Sequence, residues 1–495
     1  MKQFKSYSGM AAVCAMLTFA SCGNDIELTE AQAPVKGEYK VTFTASQESN
    51  VTRTAVDGAN VVWQTGDAIT VFDGGGNNCM FELATGAGAT VGEFVGTIQT
   101  LDPKSYCAVY PAMESATIDS DYGISGLSLP VEQVATSGSF DPRAAIMTAR
   151  NDNADKITST SEDLTLGEFK HVCAFVKVTT TEEYDKITFT AKGGEGIAGG
   201  FTVTLDENGI STVTPAADAS TTVSLVSAVE GTKIAAGTYL IAVLPGVLEE
   251  GFTMSCSSID EENDEVTTMM RSFTGTVSAF SRRNVVNMGT VNATNWTMRT
   301  QKYVDLGLSV KWATMNVGAT SPEGYGDYFA WGETSPKYDY SYYNWATYKW
   351  CEGSETTLTK YNADENKGIV DNKTVLDASD DAAHMNWGSA WRMPTEAEML
   401  ELCNKVNCTW EWTSQNNVSG YIVTSKKIGY TDKYIFLPAS GRLDMGRVEI
   451  GSAGNYWYAT LIFLSNARSL CFRSNVVTIL PYSRYEGHTV RPVLQ

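Results

Sequence analysis

From Tyr39 to about residue 290 one pattern recurs: short runs in which apolar and polar side chains alternate, each closed by Gly, Pro, Asn or Asp. The runs include YKVTFTA, AITVF, CMFEL, VGEFVGTI, YCAVYP, FKHVCAFVKVT, KITFTA, GGFTVTL, TTVSLV, GTYLIAVLP, GFTMSCSS and SFTGTVSAF. A period of two sends neighbouring side chains to opposite faces of a strand, so each run can bury one face and wet the other. Spaced by turns at intervals of about ten residues, such runs predict antiparallel β-sandwiches and exclude a regular alternation of strands and helices. About 250 residues of this grammar is more than one sandwich holds. The least periodic stretch, ARNDNADKITSTSEDLTLG at 149–167, marks a junction, which divides the region into sandwiches over 36–167 and 168–292. DGGGNN at 73–78 and EENDE at 261–265 read as turns, the second as a hairpin tip in preference to a metal site.

The rhythm changes between 290 and 300. The chain carries a net charge of -21, but residues 1–300 hold -18 of it and residues 301–495 only -3. Nine of the 11 Trp and 16 of the 23 Tyr lie after residue 300. The acidic balance repels nucleic acid and anionic lipid, so nucleic acid is not an expected partner. Hydrophobic residues make up 43% and charged ones 19%, the composition of a chain with real cores. In WRMPTEAEMLELCNKV, Thr395 is a helix N-cap with Glu398 three residues on, and Met399 and Leu402 share a face. One clear helix among short strands and long aromatic loops predicts an α+β domain over 300–495.

The N-terminus reads as an address. Lys2 and Lys5 precede an apolar run from Met10 to Ala20, shorter than the roughly 20 residues a membrane-spanning helix needs. The run ends Phe19-Ala20-Ser21-Cys22, which resembles a bacterial lipoprotein signal. On that reading 1–21 is removed, Cys22 takes the lipid and 22–35 is an acidic tether; the alternative is an ordinary secretory peptide that leaves a free cysteine. The eight later cysteines, Cys79, Cys107, Cys173, Cys256, Cys351, Cys403, Cys408 and Cys471, mostly sit in apolar alternation, as small buried hydrophobes do. His171, His384 and His488 are far apart, and neither CxxC nor HExxH occurs, so no metal and no cofactor is expected.

The order of YKVTFTAS, VTRTAVDG, VVWQTGDAITVF, FELATGAGATVGEFVGTI, FKHVCAFVKVTT, GTYLIAVLPG and RRNVVNMGTV resembles the fimbrillin-like lipoprotein pilins of Bacteroidetes. The resemblance implies two transthyretin-like β-sandwiches and a first strand that a surface protease removes after an arginine. A donor strand from a neighbouring subunit then fills the groove. Arg53, in the polar loop SQESNVTRTAVDG, is the candidate processing residue; the alternative is a solvated loop arginine with the first strand retained.

VDLGLSVKWATMNVGATSPEGYGDYFAWGE, WGSAWRMPTEAEMLEL, YIFLPASG, GNYWYAT and EGHTVRPV resemble the Fibrobacter succinogenes major paralogous domain, related in fold to C-type lectin-like domains and formylglycine-generating enzymes. Exposed Trp and Tyr offer rigid faces for a glycan or a protein, with polar groups to orient it. The candidates are Asp327, Trp331, Glu333, Tyr338, Tyr340, Tyr342, Tyr343, Tyr348, Asn455, Trp457 and Arg473. Trp331 and Trp457 fit equally as the hydrophobic centre of the fold, whereas the Tyr cluster is expected in an exposed loop. The tripeptides Glu-Pro-Asn and Trp-Asn-Asp of calcium-dependent lectins are absent. No reactive cysteine pair is evident, so enzyme activity is not expected.

Together these readings predict a lipidated pilus tip adhesin at the outer membrane and cell surface. It accepts a strand from a shaft subunit and presents the last domain to a surface glycan or protein. Past Val291 the chain continues into a folded module ending VRPVLQ, with no spare alternating tail to donate. The alternative is a non-polymerising outer-surface lipoprotein.

Overall fold

The structure, a computed structural model, describes residues 35–48, 62–73, 75–101, 105–151, 163–463 and 465–494. Cys22 and Arg53 lie outside the described residues. The architecture is a set of mostly antiparallel β-sheets followed by a smaller α+β region.

Ten strands open the chain: β1 Val35–Gln47, β2 Ala68–Phe72, β3 Asn78–Thr85, β4 Val91–Leu101, β5 Tyr106–Tyr110, β6 Thr117–Ile118, β7 Gly123–Leu129, β8 Glu132–Val134, β9 Met147–Asn151 and β10 Asp163–His171. Seven of them close into a barrel in the order β1-β10-β9-β5-β2-β3-β4. Its core follows the alternation: Val41, Phe43 and Ala45 of β1 point inward with Phe81, Phe94, Tyr106 and Phe169. Asp73 is buried while residues 75–78 of its turn are exposed, and the Asp73 carboxylate accepts from the amides of Gly75, Asn77, Gln99 and Thr100 at 2.9–3.0 Å.

The first unit therefore differs from the expected antiparallel sandwich, because β1 runs parallel to β10 and antiparallel to β4 and so closes the sheet. A closed barrel has no free edge. Strands β6, β7 and β8, within the span assigned to the first sandwich, accordingly pair elsewhere. β7 joins Gly199–Leu205 antiparallel, and β8 joins Thr222–Val226 in parallel. Ile124, Leu127 and Leu129 of β7 are buried in the second unit's core with Phe189, Val223 and Leu225. The two front units thus exchange chain across the expected boundary at 167.

The boundary near 300 is also bridged. A nine-stranded sheet runs from β8 through Thr222–Val226, Lys186–Ala191, Phe252–Asp260 and Glu265–Phe273 into Thr297–Val304, then Lys311–Ala313, Val493–Leu494 and Trp391–Arg392. Within the 261–265 segment, 261–264 form the turn between two of these strands and Glu265 opens the second: Asp260 accepts from the amides of Glu262 and Asn263, and Asp264 has φ 54°.

The α+β region holds two helices, α1 Ala382–Trp387 and α2 Glu396–Cys403. α2 begins with the capping box read from the sequence. Thr395 Oγ1 accepts from the Glu398 amide, and Glu398 accepts from the Thr395 amide at 2.8 Å. α1 was not foreseen; the Asp381 carboxylate caps it by accepting from Ala383 and His384. Among the described residues no helix is long and apolar enough to cross a membrane.

Candidate functional site

Two places carry functional potential: the slot that β1 fills, and the exposed aromatic face of the α+β region.

Both edges of β1 are bonded. Phe43 lies in register with Phe94 of β4 and Leu164 of β10, and its ring meets Phe81 and Tyr106 edge-on at 5.1 and 5.2 Å. Ala45 pairs with Gly167, where the register shifts; Gly167 takes φ 81°, a conformation that favours glycine. Beyond the last bonded pair, Gln47 with Phe169, Glu48 turns its carboxylate to the second unit. It accepts from Arg282 at 2.6 and 2.9 Å and pairs with Arg283 at 2.9 Å. Burial works against the charge of Glu48, but the hydrogen bonds and charges of Arg282 and Arg283 prevail and hold its pKa below the usual carboxylate value.

In the α+β region the candidate ligand residues separate into two sets. Trp331, Glu333, Tyr343, Tyr348, Asn455 and Trp457 are buried. Trp331 Nε1 donates to the Tyr458 carbonyl at 2.9 Å, Trp457 Nε1 to the Phe329 carbonyl at 2.8 Å, and Tyr348 Oη to the Trp331 carbonyl at 2.8 Å. The buried Arg484 guanidinium lies 5.9 Å over the Trp331 ring and 5.7 Å from that of Tyr348. Glu333 pairs with Lys337 at 2.8 Å. The expectation that the whole Tyr cluster is exposed is thereby corrected. Tyr343 folds back so that its hydroxyl donates to the Tyr328 carbonyl, and Tyr348 anchors the loop to Trp331.

Tyr338, Tyr340 and Tyr342 remain at the surface, Tyr338 with 86% of its area exposed. The rings of Tyr338 and Tyr342 are 4.8 Å apart. Asp339 caps the turn between them by accepting from the Ser341 amide at 2.8 Å. The Arg447 guanidinium lies 4.9 Å over Tyr340 and donates to its hydroxyl at 2.7 Å. Arg447 was not a sequence candidate, because 107 residues separate it from Tyr340. Asp327 is half-buried, and burial raises its carboxyl pKa. Arg473 is exposed and paired with Glu449 at 2.6 Å.

A second surface feature is a groove of about 670 Å³ lined by Leu400, Trp410, Tyr421, Val477 and Ile479, with Lys405 and Lys426 at its rim. Of the alternation Trp410-Glu411-Trp412 only Trp410 lines it, and the rest of its lining comes from segments distant in sequence.

Among the described residues no group of three or more His, Cys, Asp and Glu is placed to hold a metal ion. The eight described cysteines are free thiols. Burial pushes Cys173 and Cys403 up to about 12 and Cys408 up to about 11, the reverse of an activated nucleophile.

No protein-family model matches the chain, and no curated protein does. Among solved structures, it is similar to a candidate cell adhesion protein from Bacteroides ovatus at 13% identity, over 54% of this chain and 96% of that one, with a TM-score of 0.27. A candidate cell adhesion protein from Bacteroides fragilis matches at 14% identity over 53% and 97%, with a TM-score of 0.30. A fimbrial protein from Bacteroides ovatus matches at 12% identity over 93% and 99%, with a TM-score of 0.24.

Proposed function

We propose that this chain is an adhesive subunit at the tip of a cell-surface filament. It is held first by lipid on Cys22, is cut after Arg53, and is then completed by a strand from a shaft subunit. The observation that carries this reading is the placement of β1. The strand is bonded on both edges, fills the barrel with Val41, Phe43 and Ala45, and connects to β2 through the segment that contains Arg53. Its loss would expose two strand edges and an apolar trough together, and a strand of the same alternation satisfies both. Val493 and Leu494 are bonded to strands on either side, so this segment is committed within its own sheet.

The exposed Tyr338, Tyr340 and Tyr342 with Arg447 form the surface offered to a host or bacterial glycan or protein. Aromatic faces with a nearby guanidinium suit ring stacking and hydrogen bonding.

A second reading, a lipoprotein that keeps β1 and does not polymerise, is favoured by the ion pair that ties Glu48 to Arg282 and Arg283. An arginine-specific protease separates the two. The filament reading expects a new N-terminus at Thr54, release of residues 35–48 and uptake of an added strand peptide. An intact chain, or a cut chain that keeps its first strand against excess peptide, supports the second.

A further inference from the structure

The end of β1 meets a built anion site. Ser281–Asn284 is a tight turn closed by the Asn284 amide on the Ser281 carbonyl at 2.9 Å, and the Arg283 amide pins it to the Cys173 carbonyl at 2.8 Å. Arg283 has φ 65°, a backbone conformation that residues other than glycine seldom adopt. That conformation lets two consecutive arginines converge on one carboxylate. Arg282 grips Glu48 with both ends of its guanidinium while also donating to the His171 carbonyl at 3.3 Å, and Arg283 reaches the same carboxylate. All three side chains are mostly buried, Glu48 with 11% of its side chain exposed.

We propose that the Arg282–Arg283 turn is a specificity element for the strand that occupies the β1 slot, selecting one that carries a carboxylate just beyond its apolar alternation. The proposal rests on the strand-accepting reading above. Within β1 the inward apolar positions are Val41, Phe43 and Ala45, the buried Gln47 follows on the same face, and the acid comes three residues after Ala45. The parallel pairing with β10 and antiparallel pairing with β4 set the polarity, so an incoming strand of the same direction has its acidic residue on the C-terminal side. An occupant without one leaves two neighbouring cations with poor access to water, where charge repulsion and lost hydration count against it. A fork-on-carboxylate contact is directional and also fixes register: a slip of two residues keeps the apolar face inward but moves the acid by about 7 Å, out of reach of both arginines. The alternation alone does not distinguish these registers. The arginines do.

The test uses the full chain with a specific protease site placed within residues 49–61, nicked after folding. Fluorescent peptides copying residues 35–48, amidated at the C-terminus so that only the side chain varies, with Glu, Asp or Gln at position 48, are exchanged into the slot and their Kd values measured. The expected result is at least a tenfold weaker Gln peptide, a preference that shrinks as salt rises and falls to within about twofold in the Arg282→Gln/Arg283→Gln chain. Equal Kd values for Glu and Gln peptides on the unaltered chain would overturn the specificity proposal while leaving strand acceptance standing. Uptake of none of the peptides would reject strand acceptance and the proposal with it. The comparison on the unaltered chain needs no variant protein, so it stands even where the double variant does not fold.

Discussion

The indole of Trp457 and the imidazole of His488 lie face to face, with ring centroids 3.8 Å apart and planes within 8°. Both side chains are buried, and His488 Nδ1 is 2.9 Å from Ser469 Oγ. A contact this complete identifies Trp457 as part of the hydrophobic centre, against its assignment to a ligand surface. Trp457→Ala should destabilise the fold by about 3–5 kcal/mol through the cavity it leaves. Urea unfolding measures this, and a variant with an unchanged midpoint would return Trp457 to the list of surface residues.

Tyr338 and Tyr342 should behave in the opposite way. Each is exposed and touches mainly the other, so Tyr338→Ala or Tyr342→Ala should leave the melting temperature within a degree or two. Retention on a glycan or protein array should weaken by about 1–2 kcal/mol each if these rings form the binding face. Because the α+β region is close to neutral, that binding should change little between low and physiological salt. Tyr variants that bind as before would move the contact surface elsewhere, with the Trp410 groove the next place to look.

Acid should loosen the seam between the second unit and the α+β region. His384 Nε2 lies 3.1 Å from Thr190 Oγ1 across that seam. Burial, with the charge of Lys186 added, lowers the His384 pKa to about 4. The unfolded chain takes up this proton near pH 6.5 and the folded chain only near 4. The stability it contributes is therefore complete above about 6.5 and is lost as pH falls through that window, by about 1.4 kcal/mol per unit and roughly 3 kcal/mol in all. Chemical denaturation from pH 7 to 4.5 should show a shallower decline for His384→Gln; identical slopes would reject the assignment.

Arg491 should be structural. Its buried guanidinium donates to Asn316 Oδ1 at 2.8 Å and to the carbonyls of Ala313 at 3.1 Å, Thr314 at 3.2 Å and Phe436 at 2.9 Å, and burial lowers its pKa to about 10. Arg491→Met leaves these acceptors without a donor, at about 1–3 kcal/mol for each buried group that water cannot reach. A destabilisation of about 3 kcal/mol or more is expected, and Arg491→Lys should recover only part of it, since an ammonium cannot reach the 313–316 segment and Phe436 together as the guanidinium fork does. A methionine variant as stable as the parent would mean that burying the cation costs as much as its bonds return.

The lipid proposed for Cys22 can be tested directly. Expressed in a Bacteroidetes host, the Cys22→Ala chain should lose acyl label and leave the outer-membrane fraction. Retained label would place the lipid elsewhere or show ordinary secretion.

What could be read along the chain is local. The alternation in YKVTFTA put Val41, Phe43 and Ala45 on one face, and they are the inward residues of β1. The Thr395–Glu398 spacing is a capping box because its bonds join residues three apart. Asp73 was legible as a turn but not as the buried acceptor for Gln99 and Thr100, which come from the far end of β4. For the ligand candidates, a run of tyrosines shows only that a loop is aromatic. Which rings turn inward depends on whether a carbonyl such as that of Tyr328 or Trp331 waits to receive the hydroxyl.

By itself, then, the sequence determined where strands and turns fall, since period-two burial and turn chemistry act over a few residues. The choice of partners was left to the tertiary structure. Nothing in GISGLSL says that, on the edge opposite its neighbour β6, it pairs with Gly199–Leu205 and not with the barrel; the parallel meeting of β1 and β10 decides this by closing the barrel and leaving it no free edge. Nor does anything near Glu48 announce Arg282, 234 residues away. Alternation specifies a face. An ion pair between distant segments forms only after both faces have been buried, so the contacts that give this chain its specificity belong to the assembled fold.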